Sequence, residues 1–300
     1  MFNVQTGGME YRLTVARGQP LLAYLLGVLE LRRAAIKNLL KFGAVRVNDV
    51  TVRQFDHVLV PGDEVTVGNL QAAAAIGRLE RARIQPVYED GALIVVDKPS
   101  GLLTVATDRE NADTLYARLN AYLRGRNSAR PERALVAHRL DQETSGLVLF
   151  AKNESVKLLL QDAWPTVEKI YNAVVLGRPT PEQGTVNSYL TQDSMSLRVF
   201  ASNYPLAQSH LATTHYRVLK TRGGFSLVEV RLGTGRKHQI RVQLAGLGCP
   251  VVGDRRYGTR SQACDRLALH AGGMLLVHPL TGERLNFTSP LPKTLRKLIS

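Results

Sequence analysis

The chain has 300 residues, room for about two domains, and its 44% hydrophobic and 21% charged composition excludes wholesale disorder. No apolar run approaches the roughly 18 residues of a membrane span, and residues 1–11 lack the basic start and apolar stretch of a secretory signal. Two cysteines, Cys249 and Cys264, are too few for a disulfide framework or a four-thiolate metal site, so a reduced, cytoplasmic setting is expected.

The net charge of +14, with arginine supplying 29 of 39 basic residues, points to a polyanion. Guanidinium groups grip phosphate bidentately and stack on bases, which ranks RNA first, DNA second and an anionic membrane third.

In chain order, Leu22, Leu25, Leu26 and Leu29 recur at helical spacing, and Ile36, Leu39 and Leu40 repeat the pattern in a second helix. Gly43 stands where a helix C-cap is expected. The period then falls to two: Val45 and Val47, a turn at Asn48-Asp49, Val50 and Val52, a turn at Pro61-Gly62-Asp63, then Val65 and Val67. This predicts a small α/β module over residues 1–70, two helices followed by short strands. Arg33, Lys37 and Lys41 fall on one helix face, with Arg46 nearby in sequence; a solvated face is the bland alternative for such a stripe. The module holds eight basic against six acidic residues, so most of the positive charge lies downstream.

Residues 71–85, alanine-rich and basic, read as a linker ended by Pro86. Residues 86–300 read as one large domain. Leu93 to Val96 is a short buried strand before a turn at Lys98-Pro99-Ser100-Gly101. Residues 112–124 have helical spacing, and residues 124–133, with Arg124, Arg126, Arg130 and Arg133 among turn formers, suggest an exposed basic loop. Residues 147–150, 171–176, 225–232 and 275–277 read as further strands. Strands outnumber helices without regular alternation, so the expected class is α+β: a mixed, largely antiparallel sheet with flanking helices.

The densest run of chemically capable residues is Ala137-His138-Arg139-Leu140-Asp141-Gln142-Glu143-Thr144-Ser145-Gly146-Leu147, just before an apolar strand. Asp141 lies beside two basic residues that favour its ionised form. An ionised carboxylate can attack carbon, take a proton, or sit in a structural ion pair.

The run from His138 to Leu147 resembles the signature of the RluA-type pseudouridine synthases. Tyr88 to Leu102, Lys169-Ile170-Tyr171, Gly235-Arg236-Lys237-His238-Gln239-Ile240-Arg241 and Gly253-Asp254 to Gly258 match further segments of that family in order, with Lys237 where threonine is usual. Thr104-Val105-Ala106 replaces the His-Pro that often follows the lead-in Gly-Leu-Leu. Residues 33–65 resemble the small RNA-binding domain named after ribosomal protein S four, although Asn48-Asp49 replaces its usual Asn-Gly turn.

The resemblance implies an RNA pseudouridine synthase that detaches uracil from ribose, rotates it and rejoins it through carbon, without cofactor or metal. Asp141 would be the catalytic carboxylate, as nucleophile or base. Arg241 would pair with it, and Tyr171 would stack on the uracil and could assist deprotonation at the new bond. Arg139 would fill the gap left by a flipped uridine. His138 and Lys169 would orient neighbours or touch phosphate, and Arg126 of the basic loop, with Arg255, Arg256 and Arg260, would grip the RNA backbone. Ribosomal large-subunit RNA is the favoured partner and transfer RNA the next, with no membrane contact and a monomer as the default. Two rivals are an RNA-binding protein without chemistry, against which Asp141, Tyr171 and Arg241 together count, and a glycosidase, which needs a second carboxylate where only Glu143 is near.

Overall fold

The structure, a computed structural model, describes residues 10–29, 33–41, 43–68, 86–106, 113–126, 132–258 and 263–300. The chain divides into two compact units, Met1–Arg83 and Ile84–Ser300. The linker expected over residues 71–85 lies outside the described residues.

The small unit runs β1 (Glu10–Thr14), β2 (Gln19–Pro20), α1 (Leu21–Val28), α2 (Arg33–Lys41), β3 (Val45–Val47), β4 (Val50–Thr51), β5 (Val58–Leu59) and β6 (Glu64–Gly68). Its sheet has the order β1-β6-β3-β4. The expected order, helices and then strands, is therefore corrected: β1 and β2 precede the helices, and β1 closes the sheet against β6. Gly43 adopts φ +72° and ends α2, its N–H bonding Leu40 while Ala44 N–H bonds Leu39, the cap the sequence implied. Asn48 and Asp49 both take positive φ, the conformation of a two-residue hairpin turn with right-handed twist. Asn48 tolerates it because its side chain donates to Asp63 and accepts from Glu64 N–H. Leu21, Leu25, Ile36, Leu40, Val45, Leu59 and Val65 form the core, all nearly inaccessible to solvent.

The large unit runs β7 (Pro86–Glu89), β8 (Leu93–Lys98), α3 (Leu115–Arg126), β9 (Leu135–Val136), β10 (Ser145–Ala151), α4 (Glu154–Ala163), β11 (Glu168–Leu176), β12 (Gln183–Gln192), β13 (Val199–Ser202), β14 (His210–Arg222), β15 (Phe225–Leu232), α5 (Gln239–Gly246), β16 (Leu269–Val277), β17 (Arg284–Thr288) and α6 (Lys293–Arg296). The strands make one sheet in the order β13-β12-β14-β15-β11-β16-β10-β8-β7, with β17 beside β16 and β9 beside β10. Its described ladders are antiparallel except β10 with β16, so the mixed, largely antiparallel α+β class holds.

Strand parity explains the two continuous apolar runs. Ile94, Val96, Val148 and Phe150 point to one face, packing on Leu115, Leu119 and Leu123 of α3. Leu93, Val95, Leu147 and Leu149 point to the other, packing on Val156 and Leu160 of α4. Strands covered on both faces read as unbroken hydrophobic runs. Parity also sends Lys98 inward beside Val96, where it is fully buried. A third core joins β11 and β15 to Ile240, Leu244, Leu295 and Ile299.

Gly146 starts the β10–β16 pairing opposite Ala271 with φ +115°, and a Cβ there would overlap the Ala271 backbone. Only glycine meets both demands.

Candidate active site

The site is built over the middle of the large sheet. Asp141 lies in the turn before β10, Tyr171 on β11, and His238 and Arg241 at the start of α5. With Arg139, Trp164, Lys169 and Lys237 they line a cavity of about 350 Å³, at the lower end of small-molecule sites.

The turn carrying Asp141 is held from beneath by the loop after β8. Gly101 N–H donates to Gln142 O at 2.8 Å and Ser100 Oγ donates to Glu143 O at 2.6 Å. Thr104 Oγ1 donates to Leu140 O and accepts from Leu140 N–H, at 2.8 and 3.1 Å. Thr104 thus stands where His-Pro is common and clamps the residue before the carboxylate. Lys98 Nζ donates to Pro99 O, Leu102 O and Gln142 O at 3.1, 2.7 and 3.1 Å. Three acceptors need three N–H bonds, which only the ammonium has. Burial pulls Lys98 down to about 7, opposed by the Asp141 charge and helped by Arg266.

Asp141 keeps about a third of its side chain exposed; its Oδ2 is 3.8 Å from His238 Nε2 and 3.9 Å from Arg241 Nη1. Arg241 forms the expected ion pair with Asp141, at 3.9 Å, but no hydrogen bond to it. Its hydrogen bonds go instead to Asp254, Nε to Oδ2 at 2.7 Å and Nη2 to Oδ1 at 2.8 Å. The reason is burial: Arg241 and Asp254 are both inside the protein, where a charge needs a full partner, and Asp141 is at the surface of the cavity. Burial opposes the Arg241 charge, but Asp254, Asp141 and Glu143 outweigh it and raise its pKa. Arg241 is thus a fixed cation, aimed by Asp254 and facing Asp141 at van der Waals range.

His238 takes φ +55° at the cap of α5. Val199 N–H donates to the Tyr257 hydroxyl at 2.9 Å, and that hydroxyl shares a hydrogen bond with His238 Nδ1 at 2.7 Å, which leaves Nε2 facing Asp141. Burial lowers the His238 pKa to about 4 against the pull of Asp141, and Arg241, Arg256 and Lys237 lower it further. The preceding loop is locked by buried Gln239, which bonds Thr213 O, Thr214, Thr234 and Arg236 N–H.

Tyr171 follows a β-bulge: Ile170 pairs with Gly273 but Tyr171 with Ala271, leaving Gly272 extra. Bulges re-aim side chains at sites, and Tyr171 faces the cavity. Burial and the Asp141 charge raise its pKa, so it stays a neutral phenol at pH 7.

The other expected site residues divide. Arg139 is exposed at the cavity rim. His138 and Lys169 both line the cavity and both serve Trp164. The His138 ring stacks on it at 4.4 Å and accepts Leu149 N–H at 2.9 Å, and Lys169 donates to Trp164 O at 3.2 Å. Burial, with the Lys169 charge, pushes His138 down to about 3, so it is neutral.

Arg33 and Lys37 are exposed on α2 and Arg46 on β3, in the other unit. Arg126 ends α3, so the basic loop starts later than expected; the side chain of Arg126, residues 127–131 and Arg260 lie outside the described residues. Arg255 and Arg256 line a second groove.

Sequence reading passed over the roles of Lys98, Thr104, His238 and Asp254. The available signals were a lysine at an inward strand position and an Asp254 that recurs with Arg241 in the quoted segments.

The RNA pseudouridylate synthase family matches residues 92–246. An uncharacterized RNA pseudouridine synthase of Bacillus subtilis, YlyB, is 35% identical over 273 residues, 89% of this chain and 88% of that protein. A ribosomal large subunit pseudouridine synthase D of Pseudomonas aeruginosa is 33% identical over 285 residues, 89% and 87% of the two chains. Among solved structures, human RNA pseudouridylate synthase domain containing 1 superposes with a TM-score of 0.57 at 25% identity, over 70% of this chain and 84% of that one.

Proposed function

This chain belongs to the RNA pseudouridylate synthase family, whose members isomerise uridine to pseudouridine in RNA, and we propose that it acts on ribosomal large-subunit RNA with Asp141 as its catalytic carboxylate. The observation that carries the reading is Asp141 at a cavity wall, faced by a fixed cation, Arg241, and by the His238 imidazole. The substrate choice is supported by two relatives, of Pseudomonas aeruginosa and Zymomonas mobilis, named ribosomal large subunit pseudouridine synthase D. Transfer RNA is the second reading.

In the reaction the bond from the ribose anomeric carbon to the uracil nitrogen breaks, and a bond from the same carbon to a ring carbon forms. The proton on that ring carbon leaves and the released nitrogen takes one up, so nothing is oxidised and no external group enters. Asp141 either attacks the anomeric carbon or takes a proton from the sugar. In both cases its negative charge is consumed early, and Arg241 faces that charge at ion-pair distance while its hydrogen bonds go to Asp254.

Tyr171, a neutral phenol in the free protein, supplies a flat face for the uracil. Arg139 at the rim is placed to fill the space a flipped uridine vacates. In the small unit, Arg33, Lys37 and Arg46 are exposed charges that suit a phosphate backbone, as in the ribosomal-protein-S-four-like module the sequence resembles.

A map of pseudouridine in the host RNA, with and without the gene, tests the assignment. Loss of sites in large-subunit RNA is the expected result. Loss only in transfer RNA would replace the substrate, and an unchanged map together with no product from purified protein on that RNA would refute the assignment.

A further inference from the structure

Beside the Asp141 cavity lies a groove of about 980 Å³, walled by Arg198, Arg255, Arg256 and Lys237 and floored by Gly101, Gln142 and Glu143. It shares Asp141, Lys237, His238 and Arg241 with the first cavity, so the two are continuous. Two of its arginines are tied reciprocally. Arg198 Nη2 donates to Arg256 O at 2.5 Å, and Arg256 Nη1 donates to Leu197 O at 2.9 Å. Arg198 also lies over the Tyr257 ring at 5.5 Å.

The turn bearing Arg198 is itself braced. Asp193 accepts Ser196 N–H at 2.7 Å, and the Tyr257 hydroxyl accepts Val199 N–H. The turn bearing Arg256 is braced by Asp254, which accepts the N–H groups of Arg256 and Tyr257.

These bonds fix where the two guanidinium groups sit and leave their charge whole, because every acceptor is a neutral carbonyl. Among the described residues neither arginine, nor exposed Arg255, has a carboxylate within ion-pair distance. A cation held without a counter-charge, and with its rotamer entropy already spent, is suited to an incoming anion.

We propose that Arg198 and Arg256 form a clamp for a phosphodiester of the RNA strand next to the target uridine. A nucleotide whose base enters the Asp141 cavity carries its own backbone phosphates to within one residue of the opening, and the groove is where the strand leaves. Glu143 on the floor is the repulsive element that keeps the phosphate on the arginine wall. The inference rests on the Asp141 cavity being the uridine pocket.

The test uses full-length protein and a uridine-containing RNA hairpin, with binding titrated over a range of salt. Arg198→Gln and Arg256→Gln are each expected to weaken binding about three- to tenfold and to lower the slope of log affinity against log salt by about 0.7–0.9. The loss falls mainly on affinity rather than on the single-turnover rate at saturating enzyme. Arg198→Lys keeps the charge and should retain most of the slope. Arg284→Gln, an exposed arginine on β17, is the control and should match the wild type.

A wild-type slope in both glutamine variants overturns the clamp, as does an equal fall in Arg284→Gln. Absence of pseudouridine from the wild-type reaction would refute the uridine-pocket reading on which the clamp rests, whereas product formed with wild-type slopes in both glutamine variants would refute the clamp alone.

Discussion

Replacing Asp254 by asparagine isolates the ion pair that positions Arg241. The amide side chain keeps the size of the carboxylate and one carbonyl oxygen, which can still accept the N–H groups of Arg256 and Tyr257. What disappears is the counter-charge of a guanidinium that is 5% exposed. Removing one partner of a buried pair costs roughly 3–5 kcal/mol, because the other charge is left uncompensated. For a unit of this size about 2–4 °C of Tm accompanies each kcal/mol, so Asp254→Asn should melt some 6–20 °C lower.

The acid limb is a second signature. Arg241 and the two backbone N–H groups outweigh burial and hold the Asp254 carboxyl below its ordinary value. Its contribution is therefore complete above about pH 4 and is lost as pH falls through the lowered folded-state value. The wild type and Asp254→Asn should converge in acid. Urea titration and thermal melts of the two proteins measure this. Adding Arg241→Met to Asp254→Asn removes the stranded charge and should recover at least half of the lost stability while leaving product formation abolished, a coupling the double-mutant cycle reads directly. A loss under about 1 kcal/mol, or no recovery in the double variant, would refute the reasoning that burial rather than Asp141 holds Arg241.

Three further outcomes are expected. Lys98→Met should lower turnover and remove an alkaline fall in rate near pH 7, since deprotonation of Lys98 takes away one of three bonds to the Asp141 turn and its supporting loop; identical pH–rate profiles would contradict that use. His138 is neutral when folded, with a pKa of about 3, and ionises when unfolded near 6.5; stability should therefore fall as pH drops from about 6.5 towards 3, more steeply than in His138→Gln, and parallel curves would refute it. Replacing Arg33, Lys37 and Arg46 together by glutamine should weaken binding to a large RNA more than it slows reaction on a short stem-loop, with equal loss on both as the contrary result.

Much of the architecture was legible because its strongest signals are local. The runs at residues 93–96 and 147–150 announce strands buried on both faces, and Gly43 and Asn48-Asp49 are positions where backbone conformation restricts residue choice. The long strands β12 and β14 escaped notice. Their outer faces carry Thr, Asn, His and Arg, so the alternation is apolar against polar only in part, and the pairing of β12 with β14 and of β14 with β15, rather than local preference, holds them extended. The helix α5 was likewise hidden: Gln239, Arg241 and Gln243 are polar yet buried, because each donates to partners distant in sequence.

The same cause limited the site. Asp141 stood out through its neighbours in sequence. The Arg241–Asp254 pair, the Lys98 bonds to Gln142 O and the Tyr257–His238 link join residues 13 to 44 positions apart, and only folding shows which partner each group chooses.

The central claim is that Asp141 does the chemistry. Asp141→Asn keeps the shape of the side chain at a turn held by backbone bonds, so the fold and RNA affinity should persist. Purified wild type and Asp141→Asn are to be incubated with the RNA that loses pseudouridine when the gene is absent, and pseudouridine counted at single-turnover excess of enzyme. No product is expected from the variant, with RNA affinity within a few-fold of the wild type. Product formed by Asp141→Asn at a rate near that of the wild type would contradict it.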